Sequence, residues 1–577
     1  MLAIFKKDIS QKAYRLTCLL LVLIKLWLIR AHFIMVTLTP HDDLLFIRHA
    51  ESLLKGQWLG EYNQLTLIKE PFYPLFIALS NWLSLPLLFS EHLFYAFSCG
   101  VFVWAIGPLV RQRIVLLGAF LFLLLNPGSF NYPAVGRVFQ LAIYAPLAIL
   151  VMSLLLGMAI RATAPLRTAL GWSCGLGIAL SIFWITRGES IFLMPSVGVV
   201  FLFVFITLGG KNPKNWRRPL LLCALPLIFM YATIQIVQQI NKNQYGVPAV
   251  NELLTPEFES AYGGLLRIKS SEERQFFPVV RDARGQAYAA SPTFREVEKH
   301  LDGPVGLGWM TLAGANDIPA AFFVWAFRDS VATAGYHTSG TTALEFYRKM
   351  GEEIDAACDA GKLQCRPRWI SSLVPPWRQE FNALILPTIS SVLEKTLTFD
   401  AFNAHTDHFR NAISREMMVL FSNVTGENLL SSKPGGSDVY PDYITHLNRE
   451  KCRILGQIGH AYQIVTPVLF PFALLLFLVN LAIGVKKRRV NLMTMLSVSS
   501  LGGIVSITAV MTLLTITSYS EIARVMHVSF PLVLIFIISS FLDIMGLNIA
   551  LPAALPGGVC IKHQKQQASR QTINPVS

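Results

Sequence analysis

Two adjacent carboxylates, Asp42 and Asp43, stand in the stretch TPHDDLLFIRHAESLLKGQWLGEYNQLTLIKEPFYPLFIAL, just after an apolar run over residues 16–38. Carboxylates at the edge of such a run are costly to bury and do not help packing. Two chemical roles suit them. One is a general base that takes the proton of an attacking hydroxyl; the other is ligation of a divalent cation such as Mg2+ or Mn2+. The plainer alternative is a solvated helix cap, because Asp is a favoured N-cap residue and LLFIRHAESLL follows. The residues alone leave cap and catalyst on equal terms.

Three arginines lie near span ends on what the charge pattern below makes the outer face. They are Arg137 in NYPAVGRVFQ, Arg187 in ITRGES and Arg524 in SYSEIARVMH. A guanidinium there can fork onto phosphate oxygens. Taken singly, an ion pair explains two of them: Arg187 with Glu189, and Arg524 with Glu521. Three on one face beside an acidic pair point instead to a converging site for an anionic ligand. The chain has no Walker A loop, no GxGxxG after a strand, no HExxH and no GxSxG, so no soluble nucleotide site is indicated. A donor substrate is expected to arrive through the membrane.

The elements that must hold these residues are membrane spans. Of 577 residues 53% are apolar and 15% charged, with mean hydropathy +0.49. The apolar residues form long uncharged runs, and about 20 helical residues cross a bilayer core. Ten spans are expected: 16–38, 93–110, 114–130, 141–160, 168–185, 190–209, 219–240, 464–484, 491–516 and 525–547. Lys25 and Arg30 fall inside the first; intramembrane charges face the bundle interior or snorkel to its edge. His527 begins the last span and reads as structural. Residues 71–89 carry three prolines and Asn81 and read as an interfacial helix that does not cross.

Charge decides that point. With 71–89 outside the count and both termini cytoplasmic, inward segments carry about three times the Lys and Arg of the short outward ones, as the positive-inside rule requires. Were 71–89 to cross, Lys486-Lys487-Arg488-Arg489 would face outward. The net charge of +14 is this bias, and no basic patch interleaved with aromatics suggests nucleic acid.

The layout expected is a membrane module over 1–240 with seven spans and an outer loop at 39–92. An extracytoplasmic domain over 241–456, mainly helical or mixed, follows. Three more spans occupy 457–556, and a polar, disordered cytoplasmic tail 557–577. Within the domain, Thr342 and Glu345 suggest a capping box ahead of a helix carrying Leu344, Tyr347, Met350 and Ile354, with Gly361 after its end. Cys358 and Cys365 bracket that end, and two near cysteines outside the cytoplasm are expected to pair. Cys18, Cys99, Cys174 and Cys223 read as small buried apolar residues.

With these residues in view, the chain resembles the C-type (GT-C) membrane glycosyltransferases, in particular the protein O-mannosyltransferase and lipid A aminoarabinose-transferase group. Asp42-Asp43 is similar to the acidic pair after that family's first span. Lys69-Glu70-Pro71-Phe72-Tyr73-Pro74 is similar to its His-Pro-Pro-Leu-Tyr-like element. Arg111-Gln112-Arg113 stands at its cytoplasmic turn. Asn126-Pro127, Tyr132, Arg137 and Ile185-Thr186-Arg187-Gly188-Glu189 stand in its outer loops. The match covers residues 15–240 and, loosely, the last three spans, but not 241–456. Asp-Asp replaces the common Asp-Glu, and Lys-Glu replaces the His. The resemblance implies inverting transfer of a sugar from a polyprenyl-phosphate donor to a glycan, lipid or protein acceptor, at the exterior face of a cell membrane such as a bacterial inner membrane. It implies Asp42 or Asp43 as base, with Asp42 favoured by alignment, and Arg137, Arg187 and Arg524 at the donor phosphate. His41, Arg48, Lys69, Glu70, Tyr73, Tyr132 and Glu189 are the further candidate substrate contacts.

Two other classes compete: a transporter or flippase of lipid-linked or anionic substrates, and a non-catalytic scaffold. A transporter is expected to show repeated halves and broken helices with midplane charges; the sequence has no repeat, and its charges gather at one face. The topology is checked by single-cysteine labelling from outside, which should reach positions in 41–70 and 241–456. Labelling of 486–489 from that side would overturn it.

Overall fold

The computed structural model describes residues 8–209, 213–368, 374–400, 402–404, 413–427, 429, 442–487, 491–518 and 526–544. Arg524, Glu521 and the tail 557–577 lie outside the described residues. The described chain is helical, and its only extended pairings are isolated bridges such as Met35 with Arg137.

Helix α1 runs from Gln11 to Ile29, with the Ser10 side chain accepting from the Ala13 N–H at its start. Nineteen residues rise about 28 Å, close to the thickness of a bilayer core. The run to residue 38 overestimates this helix. Beyond Arg30 the chain carries Ile34, Val36, Thr37 and Thr39 and then Pro40, residues that lower helix propensity. It goes extended instead, and the Met35 N–H pairs with the Gly136 carbonyl at 2.7 Å. Arg30 is therefore an exposed C-cap residue and not an intramembrane charge.

Lys25 is fully buried and does not snorkel. Its Nζ donates to the Leu124 carbonyl at 2.8 Å and to Ser129 Oγ at 2.7 Å, above the Tyr95 ring. It thereby satisfies an orphan carbonyl at the end of a short helix.

After helix α2 (Asp43–Leu54), the segment 71–89 is not one helix: α3 (Phe72–Trp82) is too short to cross, and residues 87–89 open the next helix. Next come α4 (Leu87–Ile106), α5 (Arg113–Leu124), α6 (Leu141–Ile160), α7 (Leu166–Trp184), α8 (Met194–Gly209) and α9 (Arg217–Tyr245). Among the described residues eight helices are long and apolar enough to cross a membrane, against the ten spans expected. α1 is not one of the eight, and α5 is a shorter apolar helix that falls well short of the run 114–130. After Leu124 the chain turns polar and irregular, and Asn126, Ser129, Asn131, Arg137 and Gln140 are all buried. Irregular backbone is tolerated at such depth when protein surrounds it.

The segment between α9 and the last long helices has two parts. Helices α10 (Pro256–Leu266), α11 (Pro304–Ala313), α12 (Ala320–Thr333) and α13 (Gly340–Asp359) close a core around Phe258, Tyr262, Phe294, Phe327 and Tyr347. Helix α13 is capped by Ser339, whose side chain accepts from the Thr342 N–H. The Thr342–Glu345 box is thus displaced: Ser339 supplies the oxygen, and Glu345 turns to Arg348. Cys358 and Cys365 are disulfide-bonded, with Cα atoms 5.6 Å apart. Helices α14 (Ile385–Leu397) and α15 (Arg415–Thr425) join the membrane core instead, and Asn81 Nδ2 donates to the Asn423 carbonyl at 2.7 Å. The long helix α16 (Asp442–Lys486) starts well before its span, and α17 (Leu492–Ser518) and α18 (Ser529–Ile544) follow.

The core of this inserted domain docks on the loop after α1. Arg328 is buried with Glu252 at 3.1 Å and donates to the Gln64 carbonyl at 2.7 Å, while Tyr62 OH donates to the same Glu252. Removing one partner leaves a buried charge unpaired. Arg328→Met is expected to cost about 3–5 kcal/mol, read as a fall in the thermal unfolding midpoint. Adding Glu252→Gln should recover part of the loss.

Candidate active site

The acidic pair sits where α1's extended exit meets the start of α2. Asp42 occupies the N-cap position, but its side chain makes no capping hydrogen bond. It turns instead to Lys69, whose Nζ lies 2.8 Å from Oδ1. Asp43 is the first helical residue and is completely buried. Arg137 takes both of its oxygens: Nε donates to Oδ1 at 3.0 Å and Nη2 to Oδ2. Neither residue is a solvated cap.

The other loops converge on the same place. Phe72 N–H donates to the Ile185 carbonyl at 3.1 Å, which docks the Lys69-Glu70 element against the loop carrying Arg187. A Cβ at Gly188 would press within 3.3 Å of Glu70 Oε1. Gly136 lets Arg137 approach, since a Cβ there would overlap the Tyr132 ring and its carbonyl. Arg187 donates through Nε and Nη2 to Glu189 at 2.8 and 3.2 Å. Its Nη1 is buried and donates to no atom of the described residues. The Phe139 ring lies within cation–π reach of both guanidiniums, at 5.3 Å from Arg137 and 5.9 Å from Arg187.

The inserted domain that carries α11 and α12 roofs the site. His41 lies between the Trp309 and Trp325 rings at 5.2 and 5.0 Å. Trp309 Nε1 donates to Asp329 Oδ2 at 3.0 Å, and Asp329 Oδ1 is 4.0 Å from His41 Nε2. Nothing in the sequence marked Trp309, Trp325 or Asp329. Their role comes from docking alone, because no local motif places a residue of α11 or α12 over position 41.

Environment divides the two carboxyls. For Asp42, burial acts upward, but the bonded Lys69 ammonium and the Arg137 and Arg187 guanidiniums prevail and hold it below the ordinary range. For Asp43, burial prevails over Arg137 and lifts it above that range. Burial likewise raises Glu70, which accepts from Asn251 Nδ2 at 3.2 Å, and lowers His41. The carboxylates are engaged by cations, and no group of three or more His, Cys, Asp or Glu suited to a metal occurs among the described residues. With both Asp43 oxygens on Arg137 and Asp42 on Lys69, the donor set does not fit a divalent cation.

Of the sequence candidates, His41, Asp42, Asp43, Lys69, Glu70, Arg137, Arg187 and Glu189 are brought together. Arg48 is not: it is exposed on the next turn of α2, paired with Glu51 at 3.3 Å. Tyr73 is buried behind the site and donates to Glu91 at 2.8 Å. Tyr132 packs on His32 and Phe33, where it supports the Gly136 turn.

No protein-family model matches the chain, and no curated protein matches it. Two crystal structures of ArnT from Cupriavidus metallidurans, one bound to undecaprenyl phosphate and one apo, align over 92% of this chain and 78% of theirs. Sequence identity is 14% in both, with TM-scores of 0.31 and 0.30.

The buried pair sets a stability test. Arg137→Ala strands Asp43 and is expected to destabilise the protein by about 3–5 kcal/mol. The double change Arg137→Met/Asp43→Leu should cost less than Arg137→Ala alone in the same thermal unfolding measurement.

Proposed function

We propose that this chain is a membrane glycosyltransferase that moves a sugar from a polyprenyl-phosphate donor to an acceptor hydroxyl at the outer face, with inversion. The observation that carries the reading is the side-by-side arrangement of a partly exposed, cation-held carboxylate, Asp42, and a buried guanidinium, Arg187, one of whose N–H groups has no partner among the described residues.

In this reading Asp42 is the base. Its side chain keeps 27% exposure, whereas Asp43 has none. It takes the acceptor proton as the hydroxyl oxygen bonds to the anomeric carbon and the bond from that carbon to the phosphate oxygen breaks. The departing lipid phosphate gains charge, and Arg187 Nη1 stabilises it there. Lys69 keeps Asp42 ionised, and Asp43 acts as a positioning residue by fixing Arg137. This differs from giving Arg137 the donor phosphate, because its fork is spent on Asp43. His41 and the Trp309–Trp325 roof flank the acceptor side. The acceptor is a glycan, lipid or protein hydroxyl, and the membrane is a cell membrane with this face outward. A transporter has less support, since the charged groups gather at one face around a fixed base and not at a midplane.

The test supplies a polyprenyl-phosphate sugar to the purified protein and follows release of polyprenyl phosphate. Asp42→Asn is expected to lower turnover by about 10²–10⁴, and Arg187→Ala by about 10²–10³, both in folded protein. Wild-type turnover in Asp42→Asn would sink the assignment. The pH profile tests Lys69. The active form of Asp42 is deprotonated and its carboxyl is held low, so activity should persist as pH falls through the ordinary carboxylate range. Lys69→Ala removes the main cation, lifts that carboxyl and should move the acid limb to higher pH. An unmoved limb would separate Lys69 from the base.

A further inference from the structure

At the other end of the helices from the acidic site, α1, α4 and α5 enclose a second cleft of about 890 Å³. That lies within the range of about 300–1,000 Å³ typical of ligand sites. Its inner wall is apolar, with Cys18, Val22, Ala96, Val103 and Phe120. Leu19, Phe97 and Trp104 are exposed around it, so it opens sideways, where a bilayer would lie. A Cβ on Gly100, midway along α4, would meet nothing within 4 Å. The cleft is therefore empty at its floor and is not a packing seam.

Four arginines stand at its basic end: Arg15, Arg111, Arg113 and Arg161. Arg113 is neutralised by Asp8 at 3.0 Å. Arg161 lies over Trp172 and donates to the Trp104 and Ala105 carbonyls at the end of α4. Arg15 and Arg111 are exposed, and among the described residues no carboxylate pairs with Arg15, Arg111 or Arg161. Uncompensated guanidiniums above an apolar, sideways-open cleft match one molecular shape: a phosphate head on an acyl chain. Basic pockets between spans on the cytoplasmic side bind anionic lipid head groups by the same physics.

We propose that this cleft is a binding site for an anionic phospholipid of the leaflet on the basic face. Its phosphate lies against Arg15 and Arg111, and one acyl chain lies along Gly100. The site is independent of the reaction proposed above.

The experiment uses the full chain, purified and delipidated in detergent, titrated with phosphatidylglycerol or phosphatidylcholine, with bound lipid counted by native mass spectrometry. One phosphatidylglycerol should be retained at concentrations where phosphatidylcholine is not. Arg15→Gln/Arg111→Gln should weaken retention by about tenfold or more, and Arg15→Lys/Arg111→Lys should keep most of it. Gly100→Leu fills the floor without touching a charge and should also weaken retention. Equal retention of the two lipids overturns the proposal, as does retention that survives the loss of both arginines. If Gly100→Leu binds normally, the attraction is a surface effect and the cleft site is wrong. Displacement of phosphatidylglycerol by an equal concentration of polyprenyl phosphate would assign the cleft to that lipid instead and overturn the proposal too.

Discussion

A carboxylate with no exposure needs a fixed cation, and the Asp43–Arg137 pair is the interaction on which the site is built. Its two hydrogen bonds set where α2 begins relative to the loop after α5. That loop begins where α5 stops at Leu124, whose carbonyl accepts a hydrogen bond from the Lys25 ammonium. The extended exit of α1 closes the arrangement through Met35 and Gly136. Each step satisfies a polar group that would otherwise cost several kcal/mol in an apolar setting. Charges in three separate segments are thus parts of one device, and none of them explains itself alone.

The inserted domain completes what the long apolar helices begin. Its core closes on its own, around the Phe258, Phe327 and Tyr347 rings. Its attachment to the first loop is polar and specific, through Arg328, Glu252 and Tyr62. That attachment carries Trp309 and Trp325 over His41, excludes water from one side of Asp42 and raises the effective strength of the charges beneath.

Much of this was legible in the sequence, and the limits are physical. Uncharged runs mark the helices because a helix satisfies its own backbone groups in lipid and needs only an apolar surface. The run 16–38 misled because hydropathy does not distinguish apolar helix from apolar extended chain; the β-branched residues before Pro40 carried that information. The candidates that converge, from His41 to Glu189, lie beside the motifs that resemble the GT-C family. Arg48 does not converge because one turn of α2 separates it from the acidic pair and points it to solvent. Tyr73 and Tyr132 have the right neighbours in sequence but face the supporting layer. The roof could not be read at all, since contacts between α11, α12 and position 41 follow from tertiary docking and leave no local periodicity.

The two carboxyls show how one dipeptide can hold two roles. Adjacent residues at a helix start point in different directions, so Asp43 enters the protein and Asp42 stays at its rim. Burial then dominates one and cations the other, and their proton affinities move apart. The carboxylate that anchors Arg137 has both oxygens engaged, and the one that keeps some exposure holds the Lys69 loop through one oxygen. The Asp-Asp pair thus sets a closed carboxylate and a partly open one a single peptide unit apart.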